Sequence, residues 1–374
     1  MRRGVRAGII LAGGFSRRMG EFKPLLKIAG ESALGIAAVR MRKAGVEKII
    51  VVAGHNGKSV VREANRLHCA AVYNPDYESG MFSSVRAGVA SLPGCTGTFY
   101  VLPVDTPLVK PSTYSALYEA FRASGGKFQA AYPTFMGERA HPPLVSSSLI
   151  EPILSWSGES GLRGFLAGTG PAALDVPVAD RAVTLDMDTP DEFRRLTDYA
   201  ESEFFPDDEE CVELLRIAGA PERVALHARA VADSAILIGR ALSEAGVSID
   251  MRLLRSACLL HDIAKGRKDH EAQGARLLRR LGYAKAARIV ASHKELPPRL
   301  KIGEAEVLYL SDKMTDGASV SSLEDRMRRM EARFSGPALE NARRRIDAAL
   351  LLRKKTEDIT GMTIEKILGG AGIG

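Results

Sequence analysis

Short, nearly unbroken apolar stretches alternate with helical spacing over roughly the first two hundred residues, and then the alternation stops. Ala7 to Ala12, Lys48 to Ala53, Ala70 to Tyr73 and Thr98 to Val104 read as strands, each followed by Gly, Asn or Pro. Two more are expected around Gln129 to Pro133 and Val183 to Met187. Their continuous apolar character predicts burial on both faces of a largely parallel sheet. The grammar changes after Phe205-Pro206, at the acidic run Asp207-Asp208-Glu209-Glu210. Beyond it Val224, Val231, Ala235, Ile238 and Leu242 recur at helical spacing, with Pro221 as the expected first residue of the helix and Gly246 as its stop. Asp250 is placed to cap a helix over Met251 to Lys265, stopped by Gly266. Helices continue to about Leu368, followed by a small glycine-rich tail. The pattern predicts an α/β Rossmann-like domain over residues 1–205 and an all-α domain over residues 206–374.

Composition supports two cores. The chain has 374 residues, 45% hydrophobic and 26% charged, which is too long for one ordinary core and too apolar for a disordered chain. Residues 1–205 carry 23 basic and 20 acidic side chains and residues 206–374 carry 29 and 25, so the net charge of +7 is spread evenly. Even, weak basicity more often means small anionic substrates, or nothing, than a polymer-binding stripe. The runs Arg326-Met327-Arg328-Arg329 and Arg343-Arg344-Arg345 lack interleaved base-stacking aromatics and read as solvated helix faces, so no nucleic-acid partner is expected. Cys69, Cys95, Cys211 and Cys258 are scattered, which suits neither a disulfide framework nor a zinc knuckle. No apolar run approaches bilayer length, and Met1-Arg2-Arg3 leads into a strand rather than a signal-peptide core. A cytoplasmic protein without a membrane partner is expected.

Candidate chemistry in the first half begins where strand one runs into Leu11-Ala12-Gly13-Gly14-Phe15-Ser16-Arg17-Arg18-Met19-Gly20, with Lys23-Pro24 following. Glycines let backbone N–H groups approach an anion, and Arg18 and Lys23 can neutralise phosphate. Asp105 follows the apolar run Phe99 to Val104 and so emerges at a strand's carboxyl end, where open α/β sheets bind ligands. A carboxylate there can hold magnesium against nucleotide phosphates. Asp186-Met187-Asp188-Thr189-Pro190 repeats the arrangement far along the chain.

Leu11 to Leu26 resembles the signature of the molybdenum cofactor nucleotidyltransferases, within the wider nucleotidyltransferase superfamily. Further matching segments are Asn74-Pro75, Gly80-Met81-Phe82-Ser83-Ser84-Val85, Pro103-Val104-Asp105 with Pro107-Leu108-Val109, Gly137-Glu138-Arg139-Ala140-His141-Pro142, and Asp186 to Pro190, so the resemblance spans nearly all of residues 5–200. It implies magnesium-dependent transfer of a nucleotidyl group from an NTP to a phosphate acceptor, most naturally molybdopterin. By position, Leu11, Ala12, Gly13, Gly14, Arg18, Lys23, Gly80 and Ser84 would contact the nucleotide. Arg18 and Lys23 would stabilise its phosphates, and Asp105 with Asp186 or Asp188 would hold magnesium. Ala12-Gly13-Gly14 looks guanylyl-like, whereas Gly80-Met81 and His141-Pro142 look cytidylyl-like, which leaves CTP or GTP as donor. The product would pass to a molybdoenzyme or its chaperone.

The second half presents a different chemistry. In Leu259-Leu260-His261-Asp262-Ile263-Ala264-Lys265-Gly266, an apolar helix shows two good metal ligands together, and burying them unpaired would be costly. Four of the chain's seven histidines, His227, His261, His270 and His293, fall in this half, with Asp312 on a later helix. The ordered set resembles the HD phosphohydrolase superfamily over roughly residues 221–320. In its mononuclear form the ligands would be His227, His261, Asp262 and Asp312, and in its binuclear form His270 and His293 would hold a second metal. His270-Glu271-Ala272-Gln273-Gly274-Ala275 and Ala291-Ser292-His293 resemble the binuclear type, including relatives that cleave dinucleoside polyphosphates. Iron, manganese, zinc and magnesium all suit imidazole with carboxylate. Lys265 lies one turn past His261-Asp262, within reach of a substrate phosphate.

The expectation is therefore a bifunctional enzyme, a nucleotidyltransferase followed by a metal phosphohydrolase. The alternative keeps a transferase with a sugar phosphate or other small acceptor and makes the HD half a nucleotide-sensing module.

Overall fold

The computed structural model describes residues 4–157, 161–168, 173–296 and 301–369. Met1-Arg2-Arg3 and residues 370–374 of the glycine-rich tail lie outside the described residues. The chain divides into two compact units, Met1–Glu203 and Phe204–Gly374.

The first unit runs β1 (Val5–Ala12), β2 (Lys27–Ile28), β3 (Glu31–Ser32), α1 (Ala33–Lys43), β4 (Lys48–Ala53), α2 (Gly57–Arg66), β5 (Ala70–Tyr73), α3 (Met81–Ala90), β6 (Thr96–Pro103) and α4 (Pro111–Ala123). It continues through β7 (Ala130–Phe135), β8 (Glu138–Arg139), β9 (Leu144–Ser146), α5 (Ile150–Ser155), α6 (Gly161–Gly168), β10 (Ala173–Pro177) and α7 (Pro190–Ser202). The main sheet has the order β10-β7-β9-β6-β1-β4-β5, with β8 paired to β7. β5, β4, β1 and β6 are mutually parallel, so their carboxyl ends share one edge. β9 runs antiparallel to both β6 and β7.

Alternation along the strands sends side chains to two cores. Ile10, Ala12, Val51 and Ala53 pack with Leu34, Met41, Val60 and Tyr114 of α1, α2 and α4. Ala7, Ile9, Leu11 and Val52 pack on the other face with Val85, Val89, Ile153 and Phe165 of α3, α5 and α6.

Two expectations change in this unit. Val183 to Met187 is not a strand: Arg181–Thr184 is a 3-10 turn, and Ala182 and Met187 fill a small third core with Met19, Ile28 and Leu196. The segment is tied by side chains rather than a ladder, since Asp180 accepts from Lys110 N (2.8 Å) and Thr113 Oγ1 (2.6 Å). The strand in that region is β10, which pairs parallel to β7. β5 is the sheet's last strand and is largely exposed, so burial on both faces holds for β1, β4 and β6 but not for it.

The second unit contains α8 (Asp208–Ile217), α9 (Glu222–Glu244), α10 (Met251–Leu260), α11 (His270–Arg280), α12 (Ala284–Ser292), α13 (Glu304–Met314), a two-residue hairpin of β11 (Thr315–Asp316) and β12 (Ser319–Val320), α14 (Leu323–Arg333), α15 (Pro337–Thr360) and α16 (Ile364–Gly369). The acidic run is the start of α8, where Asp207 and Glu210 form a reciprocal capping box (2.8 and 3.1 Å). Pro221 is the N-cap of α9 rather than its first residue. Asp250 caps α10 as expected, accepting from Leu253 N at 3.1 Å. That helix ends at Leu260, however, so His261 to Gly266 form turns with Gly266 at φ +91. α9 packs on α10 and α13, and Gly239 permits a close approach: a Cβ there would lie 2.9 Å from the Leu254 side chain. No helix among the described residues is long and apolar enough to cross a membrane.

Candidate active sites

In the first unit the loop after β1 folds against the loop after β4. His55 N donates to Gly13 O at 3.0 Å, and a Cβ on Gly54 would fall 2.7 Å from that same oxygen and 2.6 Å from Tyr77 Cβ. Only glycine fits at position 54, while Gly14 faces open space. Ser16 turns the chain at φ +57, and its Oγ accepts from Lys23 N at 3.2 Å, which seats Lys23 beneath the loop.

The Lys23 ammonium pairs with Asp188 and lies 3.4 Å from Asp105 Oδ2; Arg18, on the exposed rim, pairs with Asp188 as well. Asp188 stands immediately before the Thr189–Glu192 capping box that starts α7, so its backbone is fixed. The hydrogen bond from Lys23 holds its carboxyl below the usual carboxylate range, with Arg18 adding to the effect. Asp186 shifts upward, through burial first and then the negative charges of Glu192, Asp105 and Asp188.

A cleft of about 320 Å³ opens here, lined by Leu11, Gly13, Gly14, Lys23, Asp105 and Asp188 on one side and by Gly80, Met81 and Ser84 of the α3 start on the other. Arg18, Ala12 and Asp186 are not among its lining residues, and the Ala12 side chain is buried in the sheet core. Gly80, at φ +99, provides no side-chain cap, so α3 presents free backbone N–H groups. Buried Asn74 holds that end in place by donating to Ser83 Oγ (2.8 Å) and Ser84 Oγ (3.0 Å). Sequence reasoning missed the aromatic wall of Phe15, His55 and Tyr77, with ring centroids 5.1 to 6.3 Å apart. Gly54-His55 directly after an apolar strand was the available signal.

Magnesium binds through one or two carboxylates plus substrate phosphates. Asp105 and Asp188, hard oxygen donors already collected around one lysine, fit it.

The second unit brings all six predicted ligands together. His227 Nε2 lies 3.1 Å and His261 Nε2 3.7 Å from Asp312 Oδ1. His261 Nε2 is 3.4 Å from Asp262 Oδ2, while His270 Nε2 and His293 Nε2 face the other oxygen, Oδ1, at 3.3 and 3.6 Å. Two ligand groups result, His227/His261/Asp262 and Asp262/His270/His293, sharing Asp262.

Three of the imidazoles are turned the same way by backbone carbonyls. Nδ1 of His261 donates to Cys258 O (2.7 Å), Nδ1 of His293 to Val290 O (2.7 Å) and Nδ1 of His227 to Gly317 O (3.0 Å), which presents Nε2 inward. His270 differs, its Nδ1 facing Glu271 Oε2 at 3.7 Å.

The centre is buried: the Asp262 side chain is 1% exposed and that of His261 0%. Burial alone would raise the Asp262 carboxyl, but the neighbouring His261, His293 and Lys265 outweigh it and hold the group far below its usual value. For Asp312, the Lys313 ammonium and His227 likewise overcome burial. His261 Nε2 and Asp262 Oδ1 nevertheless have no hydrogen-bond partner. Unpaired buried polar atoms cost about 1–3 kcal/mol each, and a divalent cation would satisfy both, so these residues fit a metal. Lys265 Nζ donates to Asp262 Oδ2 at 2.6 Å, and its side chain is half exposed.

A model of the MobA-like NTP transferase domain matches residues 8–176, and a model of the HD domain matches residues 224–317. The nicotine blue oxidoreductase of Paenarthrobacter nicotinovorans is 31% identical over 196 residues, covering 50% of this chain and 95% of that protein. The molybdenum cofactor cytidylyltransferase of Escherichia coli (strain K12) is 27% identical over 186 residues, covering 50% and 92%. Among solved structures, Rv0371c from Mycobacterium tuberculosis H37Rv aligns with a TM-score of 0.45 at 24% identity, over 52% of this chain and 98% of that one. The chain belongs to the MobA-like NTP transferase family through its N-terminal half and carries an HD domain in its C-terminal half.

Proposed function

We propose that residues 1–205 form a magnesium-dependent nucleotidyltransferase using CTP, or second GTP, and a phosphorylated acceptor of the molybdopterin type. Residues 206–374 form a metal-dependent hydrolase of a nucleotide-type phosphoester or phosphoanhydride. The enzyme is cytoplasmic, acts on small molecules rather than nucleic acid or membranes, and its product passes to a molybdoenzyme or its chaperone.

In the transfer step an acceptor phosphate oxygen attacks the α-phosphorus of the NTP. The bond from that phosphorus to the bridging oxygen breaks, and pyrophosphate leaves with the electron pair. The acceptor is already a nucleophile, so positioning and charge neutralisation supply most of the catalysis. Backbone N–H groups at Gly13 and Gly14 and at the α3 start bind and orient phosphate oxygens, and Arg18 and Lys23 neutralise charge at the leaving pyrophosphate. Magnesium held by Asp105 and Asp188 would add charge stabilisation there. The observation that supports this reading is Lys23 lying between Asp105 and Asp188 beneath the glycine loop. That grouping favours phosphate chemistry over the redox reaction named for one relative.

In the helical half His227, His261, Asp262 and Asp312 would hold one ion and Asp262, His270 and His293 a second. When bound, such a pair would supply water activation and charge stabilisation at the leaving oxygen of a phosphoester. Lys265 orients the substrate phosphate. The supporting observation is Asp262, whose two oxygens face different histidines. Incubating the metal-loaded chain with each NTP and molybdopterin, and analysing products by mass spectrometry, tests both halves. Dinucleotide with pyrophosphate is expected, and absence of product with every donor and acceptor would overturn the transferase reading.

A further inference from the structure

The basic run Arg326-Met327-Arg328-Arg329 was expected to be a solvated helix face, and in α14 it is only partly so. Arg328 is solvated and pairs with Asp325 in its own helix. Arg326 turns inward: its Nη1 donates to Asp312 O (2.9 Å), Lys313 O (3.1 Å) and Thr315 O (2.8 Å). These are carbonyls at the C-terminal end of α13, which carries the ligand Asp312, and at the first residue of the hairpin. Arg329 grips the same hairpin from outside, lying 3.1 Å from Asp316 Oδ2 and donating to Ser321 Oγ at 2.7 Å. The hairpin closes with Ser321 N donating to Met314 O at 2.7 Å. Its turn at Gly317, φ +59, aims the carbonyl that receives His227 Nδ1.

We propose that Arg326 is a positioning residue for the metal centre: by gathering three carbonyls it fixes the end of α13 and the β11–β12 hairpin, and thereby sets Asp312 and His227 together. The two ligands it serves are 85 residues apart in the chain, and each reaches the centre from a different helix. One guanidinium sets the backbone under Asp312 directly and the orientation of His227 through Gly317 O. Outer partners of this kind typically change metal affinity by about 10–100-fold when removed. His270 and His293 have their own supports, Glu271 and Val290 O. The effect is therefore confined to one of the two ions. This inference rests on the metal-centre reading above.

The test is zinc and cobalt titration of the full chain against a competing chelator, for wild type, Arg326→Met, Arg326→Lys and Arg329→Met. Wild type is expected to take up two ions. Arg326→Met weakens one site about tenfold or more and leaves the other within about twofold. Lysine, which also donates to carbonyls, restores most of the loss. Arg329→Met, which removes only the outer grip, acts in the same direction and more weakly, and it carries the test if Arg326→Met does not fold. Both sites unchanged in Arg326→Met, or both falling together, overturns the proposal. A wild-type chain that takes up no metal overturns the metal-centre reading and this inference with it, whereas two intact sites in Arg326→Met overturn this inference alone.

Discussion

The two sites differ in how far they enclose their polar groups. In the transferase cleft the two aspartates have a resident cation within reach: Lys23 serves Asp105 and Asp188, and Arg18 caps Asp188 from the rim. The groups are part-exposed, so water and neighbours satisfy them without ligand. In the helical centre His261, Asp262, His293 and Asp312 are buried, and two atoms, His261 Nε2 and Asp262 Oδ1, have no hydrogen-bond partner. A cleft that must admit a bulky polyanion gains from charges that are already neutralised and can be exchanged as substrate enters. A site for an ion one atom wide can be closed, and its missing partner then shows as unsatisfied polarity.

The comparison breaks most completely if the buried site does not need its ion. His261→Ala and Asp262→Ala are expected to lose bound metal by elemental analysis. They should also lower phosphoester hydrolysis roughly a thousandfold, several kcal/mol of barrier. Asp105→Ala should keep the metal of the helical half. The reciprocal experiment is Asp105→Ala and Lys23→Ala assayed for transfer, where turnover falls about a hundredfold or more while metal content in the helical half is unchanged. Equal metal loss in both sets would mean that the two sites are not distinguished as described.

Chelation sharpens the contrast in stability. Metal at a hundred times its dissociation constant stabilises the folded state by about 2.7 kcal/mol. Removing it should raise hydrogen exchange in α9, α10 and α13 and leave β1, β4 and β6 as they were. Uniform change in both units would contradict a metal confined to the second.

The smallest effect concerns acid. The Asp188 carboxyl is held below its ordinary value chiefly by Lys23, so its stabilising contribution is complete above the unfolded value near pH 4 and is lost as pH falls through the lower folded value. With a side chain 25% exposed, the pair contributes no more than about 1 kcal/mol. Melting temperatures of wild type and Asp188→Asn between pH 3 and pH 6, without magnesium, should differ above pH 4 and converge below it. A constant difference would assign the effect to something other than this ionisation.

Legibility differed between elements for identifiable reasons. β4 and β5 have their expected bounds, because each is an apolar run closed by loop residues. Val183 to Met187 has the same local appearance but serves the small third core, held by Asp180 to groups some seventy residues away, and nothing local announces that. The ligand types of the helical half were all legible as an ordered set. The early end of α10 at Leu260 was not, since the apolar pattern runs on through Ile263 and Ala264.

Covalent order alone determined the glycine loop, the strand-end carboxylate Asp105, the sequence of histidines and aspartates, and the change from α/β to helical grammar. These depend on residue type and on spacing within one element, where backbone geometry dictates which neighbours meet. Packing decided the rest. It brought Asp188 rather than Asp186 to the cleft wall, set one oxygen of Asp262 toward His261 and the other toward His270 and His293, and turned Arg326 inward while Arg328 faces water. Lys23 and Asp188 are 165 residues apart, and His227 and Asp312 are 85 apart. At such separations no local periodicity carries a distance, and only burial of the shared cores brings the groups within a few ångströms of one another.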